Sequence, residues 1–446
     1  MASTANTAAA SPLADRAVIK KVAISSFLGN FIEWFDFATY LYFAVTIGIV
    51  FFPDAGTSGT LMTFAVFAIS FLMRPLGAVF WGSLGDKKGR KWALSVSIFL
   101  MSGAAFLIGC LPPFETIGWF APIALLVLRT LQGFSAAGEY SGAAVFLAEY
   151  APDNKRGKYC SLVPTSTAFG LLVGSTVALV AKATLGDAEM LAWGWRIPFL
   201  IAGPLGLIAH WIRTKLEDAP VYKEAATRDR SDKPAAKQPL VKVLKEHPKA
   251  LLCSVAATMV NSIGFYVVLT FLPTYLTTYV AMDAASAQLA TDITLVCYII
   301  LLFLGAWLSD HIGRRKMLLL ACILFIVLSI PAWYLVQQTS SFALVMAGEL
   351  LLCICMVCND GTIACYQAEL FPTEVRYTGA ALGSNIGYAI FGGTASMVCT
   401  FLIDTSGNLY AAGIYMMAVC AIAGIIQFKL AKEFAGKPMG SVGIDD

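Results

Sequence analysis

Apolar stretches of about 20 residues recur along the whole chain, and they limit its possible folds more than any other feature. A stretch of this length crosses the hydrocarbon core of a bilayer as an α-helix, which makes all its backbone hydrogen bonds internally. Charged residues make up 13% of the 446 residues, whereas soluble proteins carry about 25%. The sequence therefore predicts an integral membrane protein with helices near residues 22–47, 60–84, 92–111, 120–147, 160–182, 196–212, 250–280, 287–308, 317–336, 342–367, 378–403 and 409–430.

A polar stretch with alternating charge divides these helices into two groups of six. The linker has few large apolar residues, and short amphipathic helices are compatible with its composition. The first residues lack the apolar core of a signal peptide and are expected to form a short flexible tail. We predict a tail over 1–20, a six-helix bundle over 21–213, a linker over 214–248, a second six-helix bundle over 249–431 and a tail over 432–446.

The distribution of lysine and arginine predicts the orientation in the membrane. The connections around residues 53, 115, 284, 340 and 406 hold no basic residue, and only Lys182 and Arg196 border that side. The alternate connections, the linker and the last tail are basic. Because basic residues stay on the cytoplasmic side, we expect a multi-pass protein of a bacterial-type inner membrane with both termini and the linker in the cytoplasm.

The two groups of helices repeat short motifs at corresponding positions. One motif follows the second and the eighth predicted helix, and another follows the fourth and the tenth. Two parallel six-helix repeats around a midplane site are a transporter architecture. The matching segments are Asp86 to Lys91 with Asp310 to Arg315, and Ala148 to Arg156 with Ala368 to Arg376.

A polar stripe runs along the fourth predicted helix. Arg129, Gln132 and Glu139 fall within one face of this helix at about 100° per residue. Charges at bilayer depth cost several kcal/mol each, so these side chains should face protein or water. We predict that Arg129 and Gln132 bind substrate and that Glu139 takes part in proton coupling; a purely structural seam between helices is the alternative.

Two acids and an arginine lie in the first two predicted helices. Glu33 and Asp36 are three residues apart and share a helix face. Two carboxylates on one buried face repel each other, which favours the neutral form of one of them. We therefore predict that Glu33 and Asp36 couple transport to protons and that Arg74 binds substrate, with a fixed ion pair as the alternative.

The second half carries fewer charges, and its candidate substrate contacts are mostly polar and aromatic. We predict contacts from Asn261, Tyr266, Asp360, Asn385 and Tyr388, and from Tyr140 in the first half. Trp34, Tyr40, Tyr140 and Tyr266 could also surround a quaternary ammonium group through cation–π contacts. Ordinary helix packing is the alternative for each of these side chains.

Several motifs resemble the major facilitator superfamily. Residues 82–91 are similar to its signature loop, and residues 129–133 to its fourth-helix motif. A wider set resembles the metabolite:proton symporter branch, which contains proline/betaine, 2-oxoglutarate, citrate and shikimate carriers; Ala137 departs from it, standing where glycine is expected. This set is Glu33-Trp-Phe-Asp-Phe, Phe71-Leu-Met-Arg-Pro, Gln132-Gly-Phe-Ser-Ala-Ala-Gly-Glu-Tyr, Trp193-Gly-Trp-Arg-Ile-Pro-Phe and Ala368-Glu-Leu-Phe-Pro.

The resemblance implies a fold and a gate. The fold is an all-α integral membrane protein with 12 transmembrane helices in two pseudo-symmetric six-helix halves. The signature loop would latch an inner gate in the outward-facing state. The gate residues are expected to be Asp86, Gly89, Arg90, Glu149, Arg156, Asp310, Gly313, Arg314, Glu369 and Arg376.

These observations predict a proton-coupled symporter that works by alternating access. Its substrate would be a small carboxylate-bearing metabolite, either an organic di- or tricarboxylate or a zwitterionic osmolyte such as proline or betaine. A uniporter or antiporter on the same fold, or a membrane-embedded enzyme, is the alternative. We expect a monomer in the bilayer that is not an enzyme and uses no metal, cofactor or nucleic acid, and the 11 cysteines are expected to be free thiols.

Overall fold

The computed structural model describes residues 16–53, 58–218, 222–223 and 238–443. In these residues, 11 helices are long and apolar enough to cross a membrane, and one pair of helices bent by 68° forms a twelfth span. The predicted all-α fold with 12 spans is confirmed. In chain order, spans 1 to 12 are Arg16–Tyr42 with Ala44–Phe51, Leu61–Lys88, Arg90–Cys110, Phe120–Tyr150, Asp153–Ala192, Gly194–Thr214, Pro248–Thr278, Ala284–Ile312, Arg314–Val336, Phe342–Glu369, Arg376–Ser406 and Ala411–Leu430.

Several spans are interrupted. Span 1 bends at Phe43, span 2 is broken at Met73, and span 4 contains a turn at residues 137–138. Spans 7 and 11 contain π-helical turns over Val267–Phe271 and Tyr388–Gly392. Such turns occur frequently at functional sites, because they reorient the side chains next to them.

The two halves meet where span 2 packs on span 11, span 4 on spans 10 and 11, and span 5 on spans 8 and 10. Gly82 allows the first of these crossings, because a Cβ atom there would lie 2.7 Å from the Cα atom of Thr378. Large apolar side chains such as Leu61, Phe120 and Met397 lie exposed on the outside of the bundle, as expected for surfaces that contact lipid.

One end of the bundle carries both repeated motifs, and we call it the motif face. It contains the connections at residues 86–91, 150–158, 310–315 and 370–377, together with the described residues after span 6 and span 12. Within the linker, Pro239–Glu246 forms a helix with Val243 buried. Residues 219–221, 224–237, 1–15 and 444–446 lie outside the described residues, so the division into tails, bundles and linker stays a prediction.

Candidate substrate and proton site

Two acid–arginine pairs lie inside the first half. Arg74 donates a hydrogen bond from Nη2 to Glu33 Oε1 at 2.7 Å, and Arg129 donates one from Nη1 to Asp36 Oδ2 at 2.7 Å. Arg129 also donates to Gln132 Oε1 at 2.9 Å. These five side chains line one cavity with an empty volume of about 330 Å³, which we call the charged cavity.

Both pairs keep polar atoms that have no partner among the described residues. Glu33 Oε2 and Asp36 Oδ1 accept no hydrogen bond, and Arg74 Nε, Arg129 Nη2 and Gln132 Nε2 donate none. Buried polar groups are normally paired, so unpaired atoms around a cavity indicate that something else completes them. The unpaired nitrogens suit a carboxylate, and the unpaired oxygens suit a proton.

A close contact between spans 2 and 4 places these side chains together. A Cβ atom on Gly133 would lie 1.9 Å from the backbone oxygen of Ser70, so only glycine allows the two helices to approach this closely. Arg74 begins the second helix of span 2, directly after its break. The contact therefore brings Arg74 of span 2 to the same cavity as Arg129 of span 4.

A second cavity lies between the two halves and is mostly aromatic. Its empty volume is about 270 Å³. Tyr266 directly precedes the π-helical turn of span 7, and Tyr388 begins that of span 11. This aromatic cavity is lined by Trp34, Tyr140, Pro164, Thr167, Asn261, Phe265, Tyr266, Tyr298 and Tyr388.

The remaining substrate candidates lie near this cavity without lining it. Asp360 accepts a hydrogen bond from Asn261 Nδ2 at 2.7 Å and one from the Tyr298 hydroxyl at 2.6 Å. Asn385 donates from Nδ2 to the Ala137 backbone oxygen at 2.9 Å and so joins span 11 to the turn of span 4.

Tyr40 and Glu139 are placed differently from the other candidates. Tyr40 is not among the residues lining the aromatic cavity; its ring lies 3.6 Å from the Arg129 guanidinium carbon. Glu139 follows the turn in span 4 and pairs with Arg213, which donates to Glu139 Oε2 at 2.9 Å. Glu139 is not among the residues lining either cavity. Its part in proton coupling stays a prediction.

The predicted gate residues of the first half form a network at the motif face. Asp86 accepts hydrogen bonds from the backbone nitrogen of Thr378 at 2.9 Å and from its hydroxyl at 2.7 Å. Arg90 lies 3.3 Å from Asp86 and 3.2 Å from Glu149. Arg376 of the second half completes this network by donating to Glu149 at 2.9 Å.

The second half repeats this network. Asp310 accepts from the backbone nitrogen of Gly157 at 2.8 Å, and Arg314 lies 2.8 Å from Asp310 and 3.2 Å from Glu369. Arg156 of the first half pairs with Glu369 at 2.5 Å. Each network therefore joins both halves at the motif face.

A glycine turns the chain at the centre of each repeated loop. Gly89 has a φ angle of 106° and Gly313 one of 104°, in the region that residues with a side chain rarely adopt. Each glycine ends one span and lies directly before the arginine that starts the next span. The glycines thereby place Arg90 and Arg314 at the starts of these spans, and their role in a gate stays a prediction.

Spans 3 and 9 each begin with backbone nitrogens that donate to an acid from the segment after span 6 or span 12. Asp218 accepts from the Lys91 backbone nitrogen at 2.9 Å, and burial raises the pKa of the Asp218 carboxyl. Glu433 accepts from the backbone nitrogens of Arg314 and Arg315 at 2.8 and 3.1 Å. These two acids occupy corresponding places after the two six-helix halves.

The final described residues lie across both networks. The backbone oxygen of Lys437 accepts from Arg156 at 3.0 Å, and that of Met439 accepts from Arg376 at 2.8 Å. Sequence analysis missed this contact because the tail is polar and short. It also missed Arg213, which was placed at the boundary of the linker, and Tyr298, which lies in an apolar stretch.

The family profile and the similar proteins that match this chain all describe membrane transporters. The profile of the sugar (and other) transporter family matches residues 21–249 and 223–443. The chain is 35% identical over 431 residues to the proline/betaine transporter of Escherichia coli (strain K12), covering 95% of this chain and 86% of that protein. It is 34% identical over 427 residues to the glycine betaine/proline/ectoine/pipecolic acid transporter OusA of Dickeya dadantii (strain 3937), covering 94% and 85%.

Solved structures show the same fold at lower identity. The proton:xylose symporter XylE bound to 6-bromo-6-deoxy-D-glucose superposes with a TM-score of 0.77 at 17% identity, covering 95% of this chain and 98% of that one. A variant of the Escherichia coli fucose:proton symporter FucP gives a TM-score of 0.68 at 15% identity, covering 94% and 99%. The fold, the repeated networks and the matching relatives together establish that the chain is a membrane transporter of the sugar (and other) transporter family in the major facilitator superfamily.

Proposed function

We propose that the protein is a proton-coupled symporter that imports a small zwitterion of the proline or betaine type. This proposal rests on the two ion pairs in the charged cavity, Glu33 with Arg74 and Asp36 with Arg129. Each pair combines a group that can take a proton with a group that can bind a carboxylate. The names of the relatives support the substrate class.

The two ion pairs provide a mechanism for coupling. An arginine that neutralises a protein carboxylate is less available to a substrate carboxylate. Protonation of Glu33 or Asp36 weakens that competition and releases Arg74 or Arg129 for the substrate. Because linkage is reciprocal, substrate binding then raises the affinity for the proton, and the two are carried together.

The charge of the cavity favours a zwitterion over a di- or tricarboxylate. With one of Glu33 and Asp36 protonated, as the coupling mechanism requires, the charged cavity carries one net positive formal charge. The single carboxylate of a zwitterion compensates that charge, whereas each further carboxylate needs a further proton to avoid a buried excess of negative charge. The adjacent aromatic cavity offers cation–π contacts to the ammonium group of a zwitterion such as betaine.

The networks at the motif face supply the gate. We place this face in the cytoplasm, as the basic connections indicate. The closed networks then belong to a state in which the path to the cytoplasm is shut, and the two halves must separate there to release substrate. Both termini and the linker are cytoplasmic in this arrangement, and the protein lies in the inner membrane.

Uptake into proteoliposomes tests the proposal. Labelled proline and betaine are supplied outside vesicles with or without an inward proton gradient, and unlabelled citrate and 2-oxoglutarate are added as competitors. Accumulation above the external concentration is expected only with the gradient, and the two acids should compete weakly. Uptake that equilibrates regardless of the gradient indicates a uniporter, and uptake driven only by internal substrate indicates an antiporter.

A further inference from the structure

A buried acid of span 10 lies directly behind the aromatic cavity. Asp360 is 1% exposed. It accepts hydrogen bonds from Asn261 and Tyr298, and from Asn359 Nδ2 at 3.1 Å. All three donors are neutral, and the part of the chain that the structure describes places no salt bridge on this carboxylate.

The arrangement differs from that of the acids in the charged cavity. Glu33 and Asp36 each have an arginine as partner, whereas neutral donors stabilise the ionised form of Asp360 without compensating its charge. An uncompensated buried charge attracts a cation more strongly than the same charge in water does. Either a proton on the carboxyl group or a cation from outside the described side chains supplies that compensation.

The donors to Asp360 connect it to the cavity. Asn261 and Tyr298 both line the aromatic cavity and both use their polar hydrogens on Asp360. The carbonyl oxygen of Asn261 and the phenol oxygen of Tyr298 are thereby left as acceptors, made more negative by the carboxylate behind them. The Asp360 charge also acts electrostatically on Tyr140 and Tyr388 on the cavity wall.

The first half contributes donors to the surroundings of the same cavity. Arg74, which lines the charged cavity, acts electrostatically on Tyr266 and Tyr388 of the aromatic cavity. Trp34 lines the aromatic cavity, and its indole nitrogen has no hydrogen-bond partner among the described residues. These donors of the first half suit a carboxylate, whereas Asp360 belongs to the second half.

We propose that Asp360, acting through Asn261 and Tyr298, positions the cationic nitrogen of the substrate and selects zwitterions over simple carboxylates. This rests on the proposed function and adds the orientation of the substrate. The carboxylate end points to the charged cavity of the first half, and the ammonium end points to span 10 of the second half. Asp360 is a positioning residue, because the side chains of Asn261 and Tyr298 lie between it and the cavity.

A pair of ligands with the same shape tests this selection. Glycine betaine carries a quaternary nitrogen, and 3,3-dimethylbutanoate replaces that nitrogen with carbon. Binding of each to the purified full-length protein is measured by calorimetry, and the ratio of the two dissociation constants is the readout. The unaltered protein should bind betaine at least about tenfold more tightly, and Asp360→Asn should reduce the ratio towards one.

Two further variants separate selection from stability. Glu349→Gln alters another buried acid of span 10 that lines neither cavity, and it should leave the ratio unchanged. Tyr298→Phe keeps the carboxylate and removes the hydroxyl that links it to the cavity; it should lower the ratio about threefold, and it serves if Asp360→Asn does not fold.

The outcomes are distinct. A ratio that falls with Asp360→Asn and Tyr298→Phe but not with Glu349→Gln supports the proposal. An unchanged ratio, even with weaker binding of both ligands, overturns it and leaves Asp360 a structural role. Failure of the unaltered protein to bind betaine or proline at all overturns the proposed function itself, because no zwitterion is then a substrate.

Discussion

The two halves of the molecule are nearly alike at the motif face and different at the cavities. At the motif face, an acid of each half accepts hydrogen bonds from backbone nitrogens of the other half, as Asp86 and Asp310 do. At the cavities, the acids of the first half pair with arginines, whereas Asp360 and Glu349 of the second half are bonded by neutral groups. The repeated part suits a gate that both halves must open together, and the divergent part suits a substrate with two unlike ends.

The largest expected effect comes from breaking an ion pair of the first half. Arg129→Ala leaves Asp36 as a buried charge without its partner, which costs about 3–5 kcal/mol, and removes a proposed carboxylate ligand. Accumulating uptake should fall by more than about 100-fold. The double variant Asp36→Asn with Arg129→Gln, which removes both charges, should recover thermal stability without recovering uptake. Recovery of uptake would mean that the pair is structural.

An intermediate effect is expected at the motif face, and it should be equal in the two halves. Asp86→Asn and Asp310→Asn each weaken one network, so each should lower turnover about tenfold while the protein still inserts and folds. Cys160 and Cys365, buried between the halves beside the networks at 1% and 0% exposure, should react faster with a maleimide as the motif face opens. Mass spectrometry of the labelled peptides measures the rates.

A control variant tests whether general loosening of the bundle explains that result. Asp283→Ala removes a helix cap at the opposite end of the bundle and should not change the labelling of either cysteine. A large difference between Asp86→Asn and Asp310→Asn would contradict the view that the gate is functionally symmetric.

A smaller effect is expected from the acids at the starts of spans 3 and 9. Glu433 accepts from four backbone nitrogens and Asp218 from one. Loss of a helix cap costs about 1 kcal/mol, so Glu433→Ala should lower the melting temperature more than Asp218→Ala does. Equal shifts would show that the number of accepted hydrogen bonds does not determine how far the melting temperature falls.

The raised pKa of the Asp218 carboxyl predicts that the stability of the folded protein depends on pH. Burial raises its pKa above the usual 3.8, so the folded protein holds this proton more tightly than the unfolded chain does. Ionisation therefore disfavours the folded state as the pH rises from about 4 through the raised pKa. Asp218→Asn lacks this dependence, and its melting temperature relative to the unaltered protein should rise across that window. A constant difference from pH 4 to pH 7 would contradict the assignment.

The smallest effect is expected for the neutral contacts of the second half. Thr294 donates to Glu349 at 2.6 Å, and a glutamine can accept the same hydrogen bond. Glu349→Gln should therefore change uptake by less than about threefold, in contrast to the acids of the first half. A loss comparable to that of Arg129→Ala would identify Glu349 as a second coupling group.

Sequence alone predicted the spans and the repeated loops, because hydrophobic length and basic connections are local signals. It also indicated Glu33, Asp36, Arg74 and Arg129 as charges too costly to face lipid. It did not predict that Glu139 pairs with Arg213, because helical periodicity gives no information about which residue of another span lies opposite. The cluster around Asp360 was likewise only partly visible, because a tyrosine such as Tyr298 within an apolar helix looks the same whether it packs or donates a hydrogen bond.

The central claim is that Glu33 and Asp36 compete with a substrate carboxylate for Arg74 and Arg129, and that protonation of these acids relieves the competition. Proton exchange on substrate binding tests it most directly, with purified protein in a weakly buffered solution containing a pH indicator. Addition of betaine should make the unaltered protein take up protons, and Glu33→Gln with Asp36→Asn should abolish the signal while betaine still binds. Betaine binding without proton uptake by the unaltered protein, at every pH from 5 to 9, would contradict the account.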